Sequence, residues 1–338
     1  MRRQNKKKSS KWSLALKIFL ILAASLLLCL TALGVYLSKK AETAANNAFE
    51  QLDDRASSDL RTEKVKPIED NISVLFVGVD DSEQRNNGAE NSRSDALILA
   101  TLNSETKTIK LLSIPRDSYV NIPYVGYSDK INHAHAYGGT LATIETVEEL
   151  FNVPIDYYVR MNFNAFIEVI DALGGIEVDV PYSILEKDEF DRNTVQLVEG
   201  RHVLAGREAL ALARTRKADS DIERGKRQQE IIKAIALKAA NPTSILKYDN
   251  VLEALGDNMK TDMTYSEIKQ LFSYVTSGLP RIDTLNLAGY DDQSTGVYYY
   301  QLDPNSVEEI TDILQNHLGL DQSSLSESSS FSESAASN

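Results

Sequence analysis

The 338-residue chain has a single cysteine, Cys29, and it lies within an apolar run. The remainder therefore has no disulfide and must be held by a buried core. Acidic residues are absent from the first 40 positions, which carry nine Lys and Arg. From Ile18 to Leu37 there is no charge of either sign over twenty residues. A helix of that length spans the hydrocarbon core of a bilayer, and basic residues in front of it hold the N-terminus in the cytoplasm. The expectation is a cytoplasmic tail (1–12), a transmembrane signal-anchor helix (13–37) and an extracytoplasmic remainder. A cleaved signal peptide is the competing reading, although its apolar region ordinarily runs only ~7–15 residues. A tail of about a dozen residues also leaves no room for a DNA-binding fold.

Removing those nine positive charges from a formal net charge of −13 leaves −22 for the rest of the chain. A domain that acidic repels nucleic acid at long range. Residues 38–70 are polar and rich in Ala, Asp, Asn and Glu, and read as a spacer in which "AETAANNAFEQLDD" forms a short helix. The C-terminal stretch 319–338 is Ser-rich without a Lys or Arg, a composition that does not pay for folding. No internal repeat is evident, so 71–318 is expected to be one globular unit of about 250 residues.

That unit opens with three strand signals, "ISVLFVGVD" (72–80), "ALILATLN" (96–103) and "TIKLLSIP" (108–115), the last two joined by a hairpin-length "SETK". Helical periodicity follows in "TLATIETVEELFN" and "NFNAFIEVIDALGG", then a strand pattern in "IEVDVPY" and amphipathic stretches at 206–214, 226–240 and 264–276. Strands and helices mix without strict alternation. The expected fold is a mixed α/β or α+β arrangement, a central mixed sheet with helices packed around it.

Charges mark the ends of the first strands. Asp80 ends the first, Arg93 and Asp95 ("SRSD") precede the second, and Arg116 with Asp117 ("SIPRD") closes the third. If successive strands run antiparallel, all of these share one sheet edge, where scaffolds present functional side chains. Farther on, "ALARTRKADSDIERGKRQQ" gathers six Lys and Arg between positions 214 and 227. Arg214 and Arg216, at i and i+2, project to one side only if the chain is extended there. Asp221, Arg224, Arg227 and Gln228 fit one face of a helix capped by Asp219, Ser220 or Asp221. A helix N-terminus with several guanidiniums makes an anion site, and Arg suits bidentate contact with phosphate oxygens. Carboxylates beside it suggest a metal-bridged phosphate, because Mg²⁺ takes one or two carboxylates together with phosphate oxygens. The bland reading is a set of turn aspartates and a solvated charged helix.

"GVD", "SRSD", "SIPRD", "DKINHAHAYGG", "ARTRKADSD" and "RGKRQQ", in this order behind a membrane anchor, resemble the LytR-CpsA-Psr family, most of all its teichoic acid branch. The resemblance covers about 70–315. It implies transfer of a phosphate-linked anionic glycopolymer from an undecaprenyl pyrophosphate carrier to the C6 hydroxyl of N-acetylmuramic acid in peptidoglycan, outside the membrane of a Gram-positive bacterium. It implies a Mg²⁺ (or Mn²⁺) site at Asp80 and Asp95, and catalytic roles for Asp95, Arg116 and Asp221. Arg93, Arg116, Lys130, Arg214, Arg216, Arg224, Arg227 and Gln228 are implied to hold the pyrophosphate. The hydroxyl needs a base, and Asp95 or Asp221 suits that role. His133 and His135 stand in the "DKINHAHAYGG" motif loop, where packing and hydrogen bonding are expected rather than metal ligation. "TLATIETVEELF", "FNAFIEVIDAL" and "QQEIIKAIALKAA" either line an apolar cavity for the lipid or fill the core, and periodicity does not separate the two. Two other functions use the same residues: hydrolysis of a lipid pyrophosphate, and non-catalytic binding or sensing of lipid-linked wall precursors.

The anchor yields a direct expectation. The full chain should sediment with membranes and resist alkaline extraction, whereas a chain beginning at residue 41 should remain in the soluble fraction.

Overall fold

The computed structural model describes residues 11–52, 55, 57–80, 92–188, 194–215, 221–241, 258–276 and 280–320. The expected cytoplasmic tail falls almost wholly outside the described residues, as do the segment 81–91, Arg216 with its neighbours to 220, and the Ser-rich tail from 321.

Six strands form the central sheet in the order β11-β6-β1-β2-β3-β12: β11 (Met259–Thr261), β6 (Tyr157–Asn162), β1 (Ile72–Val79), β2 (Ser94–Asn103), β3 (Thr108–Ser113) and β12 (Arg281–Asn286). β1, β2 and β3 are successively antiparallel, whereas β6 runs parallel to β1 and β12 parallel to β3. The sheet is therefore mixed, as the strand and helix signals imply. Smaller two-stranded ribbons are β4 (Tyr119–Ile122) with β5 (Tyr127–Lys130), β7 (Ile176–Val180) with β10 (Gly200–Leu204), β8 (Ile184–Lys187) with β9 (Thr194–Leu197), and β13 (Gly289–Asp292) with β14 (Tyr299–Leu302). The strand expected in "IEVDVPY" is β7, and it stands outside the central sheet.

Two-residue alternation sends the sheet's side chains into two layers. Leu75, Val77 and Val79 of β1, with Leu97, Leu99 and Leu112, pack against α2 (Ile131–Phe151) and α7 (Pro304–Leu318) through Ile144, Val147, Phe151, Ile310, Leu314 and Leu318. "TLATIETVEELF" belongs to this core layer rather than to a lipid cavity. Val74, Ile98, Ala100 and Leu111 face the other way, toward α6 (Tyr265–Thr276), α3 (Phe163–Ala172) and α5 (Asp221–Ala239). A third cluster joins α3, α4 (Gly206–Arg214) and α5 to the β7–β10 and β8–β9 ribbons. Each fully buried Leu, Ile, Val or Phe contributes about 1.5–3 kcal/mol, so the helices are held by these layers more than by propensity.

Three expectations change. "DKINHAHAYGG" is not a loop: its first residues end β5 and its histidines lie in α2, which bends where Gly139 takes φ 65°. Arg214 is not extended but is the last residue of α4, where a cation meets the negative end of the helix dipole. Residues 38–70 are not a free spacer. The helix in "AETAANNA" is the end of α1 (Lys11–Ala48), whose Ala41, Ala45 and Ala48 are buried. Arg55 makes a bidentate pair with Glu148 at 2.9 and 3.0 Å and donates to Ile155 O at 2.7 Å. Arg61 does the same with Asp156, at 2.8 Å on both oxygens. Removing one partner of a buried pair costs about 3–5 kcal/mol, so this segment is integral to the domain. Among the described residues no helix is long and apolar enough to cross a membrane; the span expected at 13–37 falls on α1, most of whose side chains there lie outside the described ones.

His317 ties α7 to the sheet. Its Nδ1 and Nε2 each lie 2.7 Å from a threonine hydroxyl, of Thr101 and Thr108 respectively. Burial, helped by nearby Lys110, pulls its pKa down to about 4. Below the ordinary value near 6.5 an unfolded chain takes up a proton that the folded chain refuses, so this contribution to stability falls as pH drops from about 6.5 to about 4. Asp262, whose pKa is raised by burial to about 6, works in the opposite sense. The histidine is therefore isolated by comparison: thermal midpoints of wild type should decline more steeply between pH 7 and 4.5 than those of His317→Gln.

Candidate active site

The pairing of β1 with β2 shifts at Gly78/Val79, where Val79 meets Ser94. On the other side of β2, Ile98 pairs with Ser113, and continuing that register by three residues on each strand sets Asp95 opposite Arg116. Pro115 offers no N–H to the ladder and the chain turns there, Ser118 donating to Pro115 O from both its N–H, at 3.0 Å, and its hydroxyl, at 2.7 Å. Asp80, Asp95 and Arg116 thus meet at one sheet edge, as antiparallel pairing requires. An Arg116 guanidinium N–H donates to the Asp95 carboxylate. Its Nε lies 3.4 Å from Asp117, whose other oxygen is 3.0 Å from Lys130 Nζ.

This edge borders a cavity of about 330 Å³ between the β6-β1-β2 face and helices α3, α4 and α5. Asp80, Asp95 and Arg116 form its polar end, and Arg214, Arg224, Gln228 and Asn162 also line it. Phe76, Ile98, Met161, Phe166, Leu210 and Ile231 make an apolar wall. "FNAFIEVIDAL" and "QQEIIKAIALKAA" therefore supply lining residues, Phe163 and Phe166 from the first and Gln228, Ile231 and Ile232 from the second. Arg214 stands over the Phe163 ring, 4.8 Å from its centre, and donates to Asp188 O at 3.4 Å. Gln228 donates to Ala213 O at 3.2 Å, which joins α5 to α4. Gly225 lets α5 come this close: a Cβ there would lie 2.5 Å from Ser113 Oγ.

The other expected residues stand elsewhere. Arg93 is exposed and outside the cavity lining. Arg227 is buried and turns away, donating to Leu212 O at 3.2 Å and Thr215 O at 2.7 Å, carbonyls that the end of α4 leaves without helical partners. Lys130 reaches the cavity edge only through Asp117. Asp221 begins α5, but its side chain, like all of Arg216, lies outside the described ones. His133 Nδ1 lies 2.7 Å from Asp129 Oδ2. His135 is fully buried, its pKa lowered by that burial, and its Nδ1 donates to Ser92 O at 2.7 Å, which fixes the backbone entering β2. Two residues carry more than their sequence signal showed. Asn162 caps α3, accepting from Ala165 N at 2.9 Å, and borders the cavity; Asp117, visible in "SIPRD", holds Arg116 and Lys130 together.

Two carboxylates at the edge of one cavity are hard oxygen donors, and among the described residues no group of three or more His, Cys, Asp or Glu stands ready to hold an ion alone. Such a set fits a hard divalent cation that completes its shell with water and phosphate oxygens. The arginines fit the remaining anionic charge, and the apolar wall fits hydrocarbon.

The chain matches the model of the LytR_cpsA_psr family over residues 35–316. The Bacillus subtilis (strain 168) protein named polyisoprenyl-teichoic acid--peptidoglycan teichoic acid transferase TagT is 40% identical over 321 residues, covering 94% of this chain and 98% of its own. TagU of the same organism, named a transferase of the same kind, is 34% identical over 317 residues, with 93% and 99% covered. A solved structure of TagT bound to LIIa-WTA has a TM-score of 0.69 at 39% identity, covering 80% of this chain and 100% of that one. Another, of TagT with bound octaprenyl pyrophosphate lipid, has a TM-score of 0.64 at 36% identity over the same shares.

The position of Arg227 separates its role from that of its neighbours. Arg227→Ala leaves buried carbonyls unpaired, a loss of about 1–3 kcal/mol in stability. Arg224→Ala, at the cavity, should instead weaken binding of inorganic pyrophosphate as an anionic probe, while Arg227→Ala at permissive temperature leaves it within about twofold, as read by thermal melting and titration.

Proposed function

Because the chain belongs to the LytR-CpsA-Psr family, we propose that it transfers a phosphate-linked anionic glycopolymer, wall teichoic acid in the first instance, from an undecaprenyl pyrophosphate carrier to the C6 hydroxyl of N-acetylmuramic acid in peptidoglycan. The observation that carries this reading is a cavity with two unlike kinds of lining. Asp80, Asp95, Arg116, Arg214 and Arg224, drawn from separate elements, border a space whose remaining lining is mostly hydrocarbon. A lipid pyrophosphate has the same division. At about 330 Å³ the cavity lies at the low end of ligand pockets, ~300–1,000 Å³, so it takes the head group and the first part of a polyprenyl chain.

In the proposed reaction the acceptor hydroxyl oxygen attacks the phosphorus bonded to the glycopolymer. The P–O bond to the lipid-side phosphate breaks, and polyprenyl monophosphate leaves with the electron pair. The hydroxyl proton passes to a carboxylate at the polar end. Such a step asks mainly for positioning and for stabilisation of charge on the transferring and leaving oxygens. Arg116, Arg214 and Arg224 supply cationic donors at the edge of an apolar space, where each counts for more than in water. Asp95 keeps the Arg116 guanidinium in place, and Asp117 braces it from behind. Asp80 and Asp95 would hold Mg²⁺, which when bound polarises the phosphate oxygens and neutralises their charge.

The apolar N-terminal part of α1 serves as the membrane anchor in this reading. Its C-terminal part docks on the domain through Ala41, Ala45 and Ala48, so the site stays within reach of a carrier lipid.

Full-length protein, a lipid-linked donor and peptidoglycan oligomers test the reaction. Transfer should need a divalent cation and stop with EDTA. Asp95→Ala and Arg116→Ala should each lower turnover at least ~100-fold, the usual scale for losing a group that stabilises transition-state charge. Undiminished transfer by Asp95→Ala would sink the assignment, and release of free glycopolymer phosphate without coupling to peptidoglycan would establish hydrolysis instead.

A further inference from the structure

Beside the cavity stands a group of tyrosines that the transfer chemistry does not use. The β13–β14 hairpin docks on the residues next to Arg116: Tyr300 N donates to Asp117 O at 2.9 Å, and Ser118 forms a bridge with Tyr300. The β4–β5 hairpin starts immediately after, with Tyr119 paired to Lys130. Tyr119 and Tyr299 meet edge to face, their ring centres 4.9 Å apart. Lys130 Nζ lies 5.6 Å from the centres of both the Tyr298 and Tyr299 rings while its charge is met by Asp117 at 3.0 Å. Tyr290 stands on the same face of its hairpin as Tyr299, by the pairing of 290 with 301 and of 292 with 299.

Tyr298 and Tyr299 are half-buried, and Tyr119 and Tyr290 are exposed. Tyr119 is 41% and Tyr290 64% accessible, and Tyr298 donates its hydroxyl to Asp291 at 2.8 Å. Fixed tyrosines lose little conformational freedom on binding and offer flat apolar faces with polar rims. The C–H face of a pyranose ring, edged by hydroxyls, is complementary to such a surface. The surrounding charge narrows the choice of partner. Asp291 and Asp292 flank the shelf, and its lysine is already paired. An anionic phosphopolymer or an anionic bilayer meets repulsion here, and membrane-seeking Leu, Ile, Phe and Trp are absent from this ring cluster. An uncharged run of sugar rings meets none.

We propose that Tyr119, Tyr290, Tyr298 and Tyr299 form a shelf for the glycan backbone of the acceptor, which leads its hydroxyl to the polar end of the cavity through the Lys130–Asp117–Arg116 chain. This proposal rests on the reading of the cavity as a transfer site. Binding to the shelf, however, is measurable without transfer.

Two readouts on the full chain in detergent test it, with Tyr119→Ala/Tyr299→Ala as the variant and Tyr119→Phe/Tyr299→Phe as the control that keeps ring faces. The first is cosedimentation with sacculi stripped of anionic polymer, together with titration by a β-1,4-linked N-acetylglucosamine hexamer. Wild type and the Phe pair should bind, and the Ala pair should bind at least tenfold more weakly with its melting temperature retained. The second is the split in transfer kinetics: KM for peptidoglycan oligomers should rise in the Ala pair while KM for the lipid donor stays put. Equal glycan binding by the Ala pair overturns the shelf. So does failure of wild type to bind either glycan, loss of binding in the Phe pair, an equal rise in both KM values, or tyrosine-dependent binding to anionic vesicles. Glycan binding that is lost in the Ala pair, in a protein that performs no transfer, would retain the shelf and remove only the transfer reading.

Discussion

Antiparallel pairing of three consecutive strands is the constraint on which the site depends. It returns the chain to one edge twice, so that the end of β1, the start of β2 and the end of β3 are neighbours. The register then decides which side chains meet, and it sets Arg116 against Asp95. A slip of one residue would turn either side chain to the opposite face of the sheet. His135, buried in α2 and bonded to the carbonyl of Ser92, helps to hold β2 at that register from outside the sheet.

The cavity shows how an acidic domain gathers cationic side chains around one space. Its formal charge outside the first 40 residues is strongly negative, yet three guanidiniums line one space together with Phe, Ile, Leu and Met. Apolar walls lower the local dielectric, so a few nearby charges dominate the more distant acidic surface, which water and salt screen. Arg116 and Arg214 are themselves supported. Asp95 and Asp117 hold Arg116, and the Phe163 ring with the Asp188 carbonyl holds Arg214. Such support keeps cationic donors in place before a ligand arrives, which is the condition for electrostatic catalysis.

The stretch between α1 and β1 has a mechanical consequence. Arg55 and Arg61 clamp it to Glu148 and Asp156 with side chains that are nearly buried. The chain leaving α1 is thus not a flexible leash. The orientation of the domain relative to α1 is set by packing instead of by tether length.

Much of this was legible in the linear chain. The apolar runs "ISVLFVGVD", "ALILATLN" and "TIKLLSIP" marked three strands, and the hairpin-length "SETK" made the last two antiparallel neighbours; once the first pair is antiparallel as well, Asp80, Asp95 and Arg116 converge. The helices at 206–214 and 264–276 were equally plain, because periodicity and local propensity are properties of adjacent residues. What tertiary structure alone decided was direction and depth. Arg224 and Arg227 lie three apart on one helix, yet one faces the cavity and the other caps the end of α4, since the choice depends on which neighbour each side of α5 touches. The amphipathic helix α2 fills the core while α3 and α5 line the cavity, a distinction invisible to periodicity because a packed layer and a greasy wall select the same residues. The residues ahead of β1 looked like spacer because their ion-pair partners, Glu148 and Asp156, stand about ninety positions away, and no local pattern reports a contact that only folding brings together.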